Sequence, residues 1–156
     1  MDEIVGNDEI SAVRAESGVM PSRAQVSAVE AHLRQMPQVE MPTTDHFSEG
    51  VYGREIFIPA GTIIVGKIHK YESLNVLLSG EIAVLTNDGM RRLTPPFIEV
   101  SPPGTKRIAY ALTDVRWLTV HGTHERDVAV IEQQFIAQDE QEFLAFCEQQ
   151  KLLKGE

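Results

Sequence analysis

Residues 59–82 have the sequence PAGTIIVGKIHKYESLNVLLSGEI, and this stretch decides the fold. It begins with a turn at Pro59-Ala60-Gly61, continues as a short apolar strand that ends at His69, and crosses a polar break. A second apolar strand then runs to Ser79-Gly80. Short apolar runs bounded by glycine and proline are typical of β-strands joined by tight turns. We therefore predict a small β-barrel with a ligand site facing its interior.

The strand pattern continues on both sides of this stretch, with turn residues every eight to twelve positions. Asn87-Asp88-Gly89 between two apolar runs is a hairpin signal, because Asn and Gly tolerate positive φ. Many short, evenly spaced strands favour a closed jelly roll or sandwich over a parallel α/β sheet. The predicted strands are 51–58, 62–69, 74–78, 81–86, 90–93, 97–100, 107–112 and 116–121.

Helical patterns lie at both ends of the strand region. Ser22 is a candidate cap for a helix through about Gln35, and Thr123 and Asp139 are candidate caps for helices over about 124–134 and 140–153. The predicted organisation is a flexible acidic tail at 1–20, a helix and extended lead-in at 21–50, and the barrel at 51–121. Residues 122–156 are predicted as helices that pack on the barrel or on a partner. Phe143, Leu144, Phe146 and Cys147 are expected to form the buried face of the last helix.

Composition excludes several classes of function. The net charge is −9, and 17 of the 23 acidic residues lie outside residues 51–121. An acidic exterior argues against nucleic-acid binding that depends on phosphate neutralisation. No apolar run approaches the roughly 18 residues of a membrane span, and the acidic N-terminus lacks the pattern of a secretory signal. With one cysteine, Cys147, no internal disulfide can form, and we expect a cytoplasmic protein.

Two stretches resemble the cupin superfamily of small jelly-roll barrels. The first is Pro59-Ala60-Gly61 with His69 and Gly80-Glu81, and the second is Pro103-Gly104-Thr105 with the closing strand from Trp117 to His121. Together they span residues 51–121. The whole chain also looks like short single-barrel cupins of phage and prophage genomes, which implies a phage-encoded accessory protein located in the host cytoplasm. The resemblance implies a mainly β, cupin-type barrel with an N-terminal helix and a C-terminal helical extension.

The chain departs from the metal-binding pattern of this family. Such cupins place two His two residues apart, a Glu a few residues later and a third His after a Pro-x-Gly turn. Here those four positions hold Lys67, His69, Ser73 and Arg107, so only the second ligand is kept. The usual four-ligand site is therefore absent from the sequence, and the family's metal-dependent chemistry does not carry over.

Strand parity gives the candidate binding residues. Lys67 and His69 share one face of their strand, and if the cupin register holds they point into the barrel together with Arg107. Buried cations need an anion, a carboxylate partner or water. One hypothesis is therefore a site for a small polar or anionic molecule, formed by Lys67, His69, Arg107, Tyr110 and Trp117. Its alternative is internal pairing, with Glu72 or Glu81 neutralising the cations.

Two further hypotheses stay open from the sequence. One is a non-standard metal site of His69 and His121 with Glu72, because imidazole and carboxylate ligands suit Zn, Ni, Fe or Mn. In that case the protein is a metal-dependent enzyme, with His69 as the candidate catalytic residue and His121 as its partner. The other is a structural or interaction protein that acts through oligomerisation, as a homodimer. The sequence does not decide whether a bound molecule is turned over.

Overall fold

The computed structural model describes residues 22–86 and 89–155, so the predicted tail at 1–20 lies outside the described residues. These residues form three helices: α1 (Arg23–Leu33), α2 (Val128–Phe135) and α3 (Glu140–Lys154). Eleven strands are formed in the described ranges: β1 (Thr43–Ser48), β2 (Val51–Ile58), β3 (Ile63–Val65), β4 (Ile68–His69), β5 (Ser73–Ser79), β6 (Ile82–Thr86), β7 (Gly89–Leu93), β8 (Phe97–Ser101), β9 (Ile108–Ala111), β10 (Val115–Gly122) and β11 (Ile136–Ala137).

Antiparallel pairing builds two main sheets. The larger sheet has the order β1-β2-β10-β5-β8, and the smaller has the order β3-β9-β6-β7. Their inner faces share one apolar core, in which Ile58 and Val115 of the larger sheet meet Ile82 and Ala111 of the smaller one. The mainly β jelly-roll barrel predicted from the strand pattern is confirmed. Strand β1 lies in the segment predicted as an extended lead-in, and it pairs with β2 at the edge of the larger sheet.

Helix α1 covers the outer face of the smaller sheet. Ser22 caps it and forms a reciprocal capping box with Gln25, as its Ser-x-x-Gln spacing favours. Val26 and Leu33 are buried against Ile63 and Ile108 of the sheet. The helix therefore closes the outside of the barrel wall and leaves the inner face of these strands to the barrel interior.

The C-terminal segment packs on the mouth of the barrel. Strand β11 pairs with β4, and the Lys70 amide donates to the carbonyl oxygen of Phe135. Phe143 of α3 is buried with Ile68 and Ala137, which is packing within one chain. No helix in the described ranges is long and apolar enough to cross a membrane.

Two local expectations for this segment are wrong. Helix α2 begins at Val128 with Asp127 as its cap, because Thr123 instead accepts a hydrogen bond from the Glu125 amide in a turn. Leu144 was expected on the buried face of α3, but it is 51% exposed. The contact with the barrel runs along Phe143 and Cys147, four residues apart, and Leu144 lies beside that line.

Candidate functional site

Side chains on the inner face of the larger sheet form layers that cross four strands, and an apolar layer is followed by a polar one. One layer pairs Ile56 with Trp117, Trp117 with Leu77, and Leu77 with Phe97. Two residues along each strand, the next layer joins Arg54, Thr119, Asn75 and Glu99. Side chains two apart on a strand share a face, so the alternation of four strands brings these polar groups into one row.

Arg54, Asn75 and Thr119 of this row line a cavity of about 160 Å³ inside the barrel. Its lining combines aliphatic side chains from both sheets with polar groups near the mouth. The polar and charged lining residues are Arg54, Lys67, His69, Ser73, Asn75, Ser101, Thr105, Arg107, Trp117 and Thr119. The apolar lining residues are Ile56, Ile58, Ile64, Gly66, Ile82, Val84, Ala109 and Ile136.

Two of the three permanent cations lining this cavity have a carboxylate partner. Lys67 Nζ lies 2.5 Å from Glu132 Oε1 of helix α2, and the Lys67 hydrogen bond is the largest cause that lowers the pKa of Glu132. Arg107 forms two hydrogen bonds with Glu99, one of them 3.1 Å from Nη2 to Oε1. Internal pairing was expected through Glu72 or Glu81, and the partners are different. Glu81 binds Arg92 on the surface, and Glu72 is exposed.

Arg54 is the third cation, and sequence reasoning missed it. Its guanidinium has no carboxylate within ion-pair distance in the described part of the chain. It lies on the inward face of β2, opposite Thr119. The sequence feature that indicates an inward Arg54 is its spacing along β2. Side chains two residues apart share a face, so Arg54 lies on the same face as Tyr52, Ile56 and Ile58.

Asn75 organises the polar row. Its Oδ1 accepts hydrogen bonds from Trp117 Nε1 at 3.2 Å and from Thr119 Oγ1 at 2.9 Å. Its Nδ2 donates to Ser101 Oγ at 3.0 Å and to the Ser73 hydroxyl and carbonyl oxygens at 3.3 Å. Because both ends of the amide are used, the orientation of Trp117 and Thr119 at the cavity wall is fixed before any ligand enters.

His69 and His121 lie side by side at the mouth. Their ring centroids are 5.3 Å apart with planes 19° apart, and His121 also stacks on Phe135 with centroids at 4.6 Å. Burial lowers the pKa of His69 to about 4, with further contributions from His121, Arg54 and Lys67, and burial lowers that of His121 to about 4. Both rings are therefore neutral at pH 7, and neither Nδ1 has a hydrogen-bond partner in the described residues.

The donor set does not complete the predicted metal site. The rings of His69 and His121 lie next to each other, with centroids 5.3 Å apart, but Glu72 is exposed and does not join them. Within the described ranges, no group of three or more His, Cys, Asp or Glu side chains is placed to hold a metal. A catalytic zinc site keeps three protein ligands, so these residues do not fit one. The binding of Zn, Ni, Fe or Mn stays a prediction from the sequence.

The other predicted ligand-binding residues divide between two faces. Lys67, His69, Arg107 and Trp117 all line the cavity. Tyr110 does not: it packs with the residues beneath helix α1, on the outer side of the smaller sheet. The physical reason is strand parity, since Arg107 and Ala109 point inward and Tyr110, one position further, points outward.

A second pocket of about 350 Å³ lies where the two sheets part between β7 and β8. It shares Val84 and Arg107 with the inner cavity, and it also contains Glu99. The guanidinium of Arg91 lies 5.8 Å from the centre of the Phe97 ring at this pocket. The ion pair of Arg107 and Glu99 therefore forms part of the wall between the inner cavity and the outer pocket.

The structure is similar to several solved structures. Ectoine synthase from P. lautus matches with a TM-score of 0.50 at 13% identity, over 65% of this chain and 78% of that chain. KdgF from Halomonas sp. matches with a TM-score of 0.47 at 18% identity, over 60% of this chain and 88% of that chain. A cupin superfamily protein from Desulfitobacterium hafniense DCB-2 has a TM-score of 0.45 at 15% identity, over 59% and 85%.

No protein-family model and no curated protein matches the sequence. At the identities of these solved structures, the likeness shows the fold alone. That fold is the cupin jelly roll, so the cupin resemblance predicted from residues 51–121 is confirmed.

Proposed function

We propose that this protein binds a small anionic molecule inside its barrel. The observation that carries the proposal is Arg54, a permanent and partly buried cation that lines the barrel cavity without a carboxylate within ion-pair distance among the described residues. Lys67 and Arg107 line the same cavity, but Glu132 and Glu99 already neutralise them.

A cation in such a place favours an anionic ligand for an energetic reason. Removing a guanidinium from water is costly unless a counter-charge or hydrogen-bond acceptors compensate it. Arginine offers a fork of donors that matches a carboxylate in two parallel hydrogen bonds. The neutral ring of His69 borders the same space and adds a polar contact without adding charge. The site is therefore prepared for an anion that accepts hydrogen bonds from Arg54.

Thermal unfolding with acetate and with inorganic phosphate tests this proposal. At a ligand concentration about a hundredfold above its Kd, binding contributes about 2.7 kcal/mol, which raises Tm by about 5–10 °C for a chain of this size. Arg54→Met is expected to abolish this rise. Arg92→Met, which removes a cation of the exposed Glu81 pair, is the matched control and is expected to keep it. Equal shifts in both variants, or no shift by any anion, would contradict the proposal.

A second candidate function is self-association through the outer face of β5 and β8. Strand β8 is an edge of the larger sheet, and Ile98 and Val100 on it are 66% and 57% exposed. With Leu74, Val76 and Leu78 of β5 they form a face without any charged side chain. Two copies with a net charge of −9 each repel over most of their surface. An uncharged apolar face is therefore the place where a second copy meets the least repulsion, and we propose a homodimer there.

Light scattering can distinguish a dimer formed through this face from a dimer formed through the C-terminal helices, which the sequence also allowed. Ile98→Lys is expected to convert a dimer into a monomer. Leu152→Lys, on a side chain of α3 that is 78% exposed, is the matched control and is expected to leave the dimer intact. A monomeric wild-type protein would overturn the proposal. The accessory role in a phage stays a prediction that rests on resemblance.

A further inference from the structure

We infer that the bound anion is a short aliphatic monocarboxylate, with its carboxylate at Arg54 and its hydrocarbon chain along the apolar floor of the barrel. This inference rests on the proposed anion site and names its ligand class. Three properties of the cavity carry it: the net charge at its polar end, the polarity of its floor and its volume.

Among the described residues, the three cations that line the cavity and the two carboxylates paired with them carry a net charge of +1. Lys67 with Glu132 and Arg107 with Glu99 are neutral pairs, and the lowered pKa of His69 keeps its ring neutral at pH 7. Arg54 therefore sets the charge that a ligand meets. A monoanion balances this charge, whereas a phosphomonoester, with a charge of about −1.5 to −2 at pH 7, leaves negative charge uncompensated in a partly desolvated site.

The floor of the cavity accepts only apolar groups. Beyond Arg54 on β2, the next inward side chains are Ile56 and Ile58, and the opposite wall contributes Ile64 and Val84. At about 3.3 Å of rise per residue, Ile58 lies about 13 Å along the strand from Arg54. A hydroxyl-rich ligand such as a sugar acid would bury polar groups there without partners, which is unfavourable. A hydrocarbon chain has no such groups and gains from the burial.

The volume limits the chain length. A cavity of about 150 Å³ lined by aliphatic and aromatic side chains accommodates benzene, with its six carbons. The cavity of about 160 Å³ here is of the same size. We therefore expect carboxylates of about five or six carbons to fill it, with longer chains excluded by the packed core at Ile58 and Val115.

The test is a series of straight-chain carboxylates from acetate to octanoate, titrated by calorimetry. Each added methylene is expected to raise the affinity about fourfold, up to five or six carbons, after which the affinity falls. Ala109→Leu places a larger side chain in the floor and is expected to lower hexanoate affinity at least tenfold more than acetate affinity. Ala83→Leu, the same exchange outside the cavity lining, is the matched control and is expected to keep the wild-type ratio.

The outcomes separate this inference from the proposal beneath it. An affinity that rises with chain length and disappears in Arg54→Met supports both. Binding that depends on Arg54 but is flat with chain length, or that favours phosphate over hexanoate, overturns the inference and leaves the anion site standing. Binding of none of these anions overturns both. The chain-length series on the wild-type protein decides the matter even if Ala109→Leu does not fold.

Discussion

The rings of His69 and His121 lie nearly parallel at the mouth of the barrel, with centroids 5.3 Å apart and with both Nδ1 atoms lacking a hydrogen-bond partner in the described residues. The pair is bordered by Phe135 on one side and by the cavity on the other. Protonation of either ring would place a charge in a desolvated site next to its neighbour. The folded protein therefore holds both rings in the neutral form.

This pair predicts a loss of stability in mild acid. Both pKa values are about 4 in the folded protein, against an ordinary value of 6.5. The unfolded chain thus binds more protons between these values, and stability falls as the pH decreases from about 6.5 towards 4. By pH 5 the loss is on the order of 2 kcal/mol for each histidine. Urea unfolding at pH 7, 6 and 5 measures it.

His121→Phe is the informative variant, because a phenyl ring can keep the stacking on Phe135 without titrating. It is expected to remove about half of the change in unfolding free energy between pH 7 and pH 5. His124→Gln is the matched control, since it removes a histidine whose side chain is 81% exposed. If the unfolding free energies of the wild type and of His121→Phe depended equally on pH, the histidine pair would not be the cause of the acid instability.

The ion pair of Lys67 and Glu132 predicts that removing an acid strengthens anion binding. Glu132→Gln leaves Lys67 charged beside the cavity, so the positive charge there increases from one to two. A unit charge about 10 Å from the ligand contributes about 1.7 kcal/mol at an effective dielectric of about 20, which is about fifteenfold in affinity. Calorimetric titration with acetate measures this gain.

The stability cost of the same exchange is expected to be small, below about 1 kcal/mol, because the pair is partly exposed. Glu140→Gln is the matched control, because it removes the acid of a partly exposed ion pair with Arg23, which does not line the cavity. This variant is expected to leave acetate affinity unchanged. An unchanged affinity in Glu132→Gln would mean that Lys67 does not face the ligand.

The barrel could be predicted from the sequence because its strands and turns are marked by residues that are close together along the chain. Alternation along residues 51–58 and 116–121 and the turns at Gly61, Gly80 and Gly104 predict strands and breaks without knowledge of distant contacts. The strand predicted over 62–69 is interrupted between Val65 and Ile68. Lys67, His69 and Arg107 line the cavity, although Lys67 and Arg107 lie just outside the strands to which the parity argument assigned them. The same rule, applied strictly, places Tyr110 on the opposite face, where it lies.

The electrostatics of the site could not be predicted in this way. Glu132 neutralises Lys67 from 65 residues away in sequence, through a helix whose position against the barrel depends on tertiary packing. Arg54 lies on a strand whose two faces both mix apolar and charged residues, as Glu55 and Phe57 show for the other face. Which face of β2 points inward follows only from its pairing with β10.

The network around Asn75 predicts a large stability effect from a single substitution. Asn75→Leu keeps the number and branching of the side-chain heavy atoms but leaves Trp117 Nε1, Thr119 Oγ1 and Ser101 Oγ without their partner. A buried polar group left unpaired costs about 1–3 kcal/mol, so a total loss of about 2–4 kcal/mol in unfolding free energy is expected. Thr119→Val, which removes one of these donors, is the matched control and is expected to cost about 1 kcal/mol.

Trp117 gives this variant a second readout. It is the only tryptophan in the chain, so its emission reports on the cavity wall directly. Asn75→Leu is expected to shift the emission maximum, because the indole N–H loses its acceptor. A variant as stable as the wild type, with unchanged emission, would contradict the role of Asn75 as organiser of the row.

At Gly80, near the end of the stretch quoted first, the steric clash of an added Cβ can be measured separately from the strain of a positive φ. It has φ +84°, and a Cβ there would lie 2.0 Å from the Asp114 carbonyl oxygen. Gly89 has φ +97°, but a Cβ there would have no atom of the described residues outside its chain neighbours within 4 Å. Gly89→Ala thus measures the strain of a positive φ alone, about 1–2 kcal/mol. Gly80→Ala adds a backbone clash and is expected to cost at least about 2 kcal/mol more. Equal unfolding free energies for the two variants would show that the turn at Gly80 can move away from Asp114.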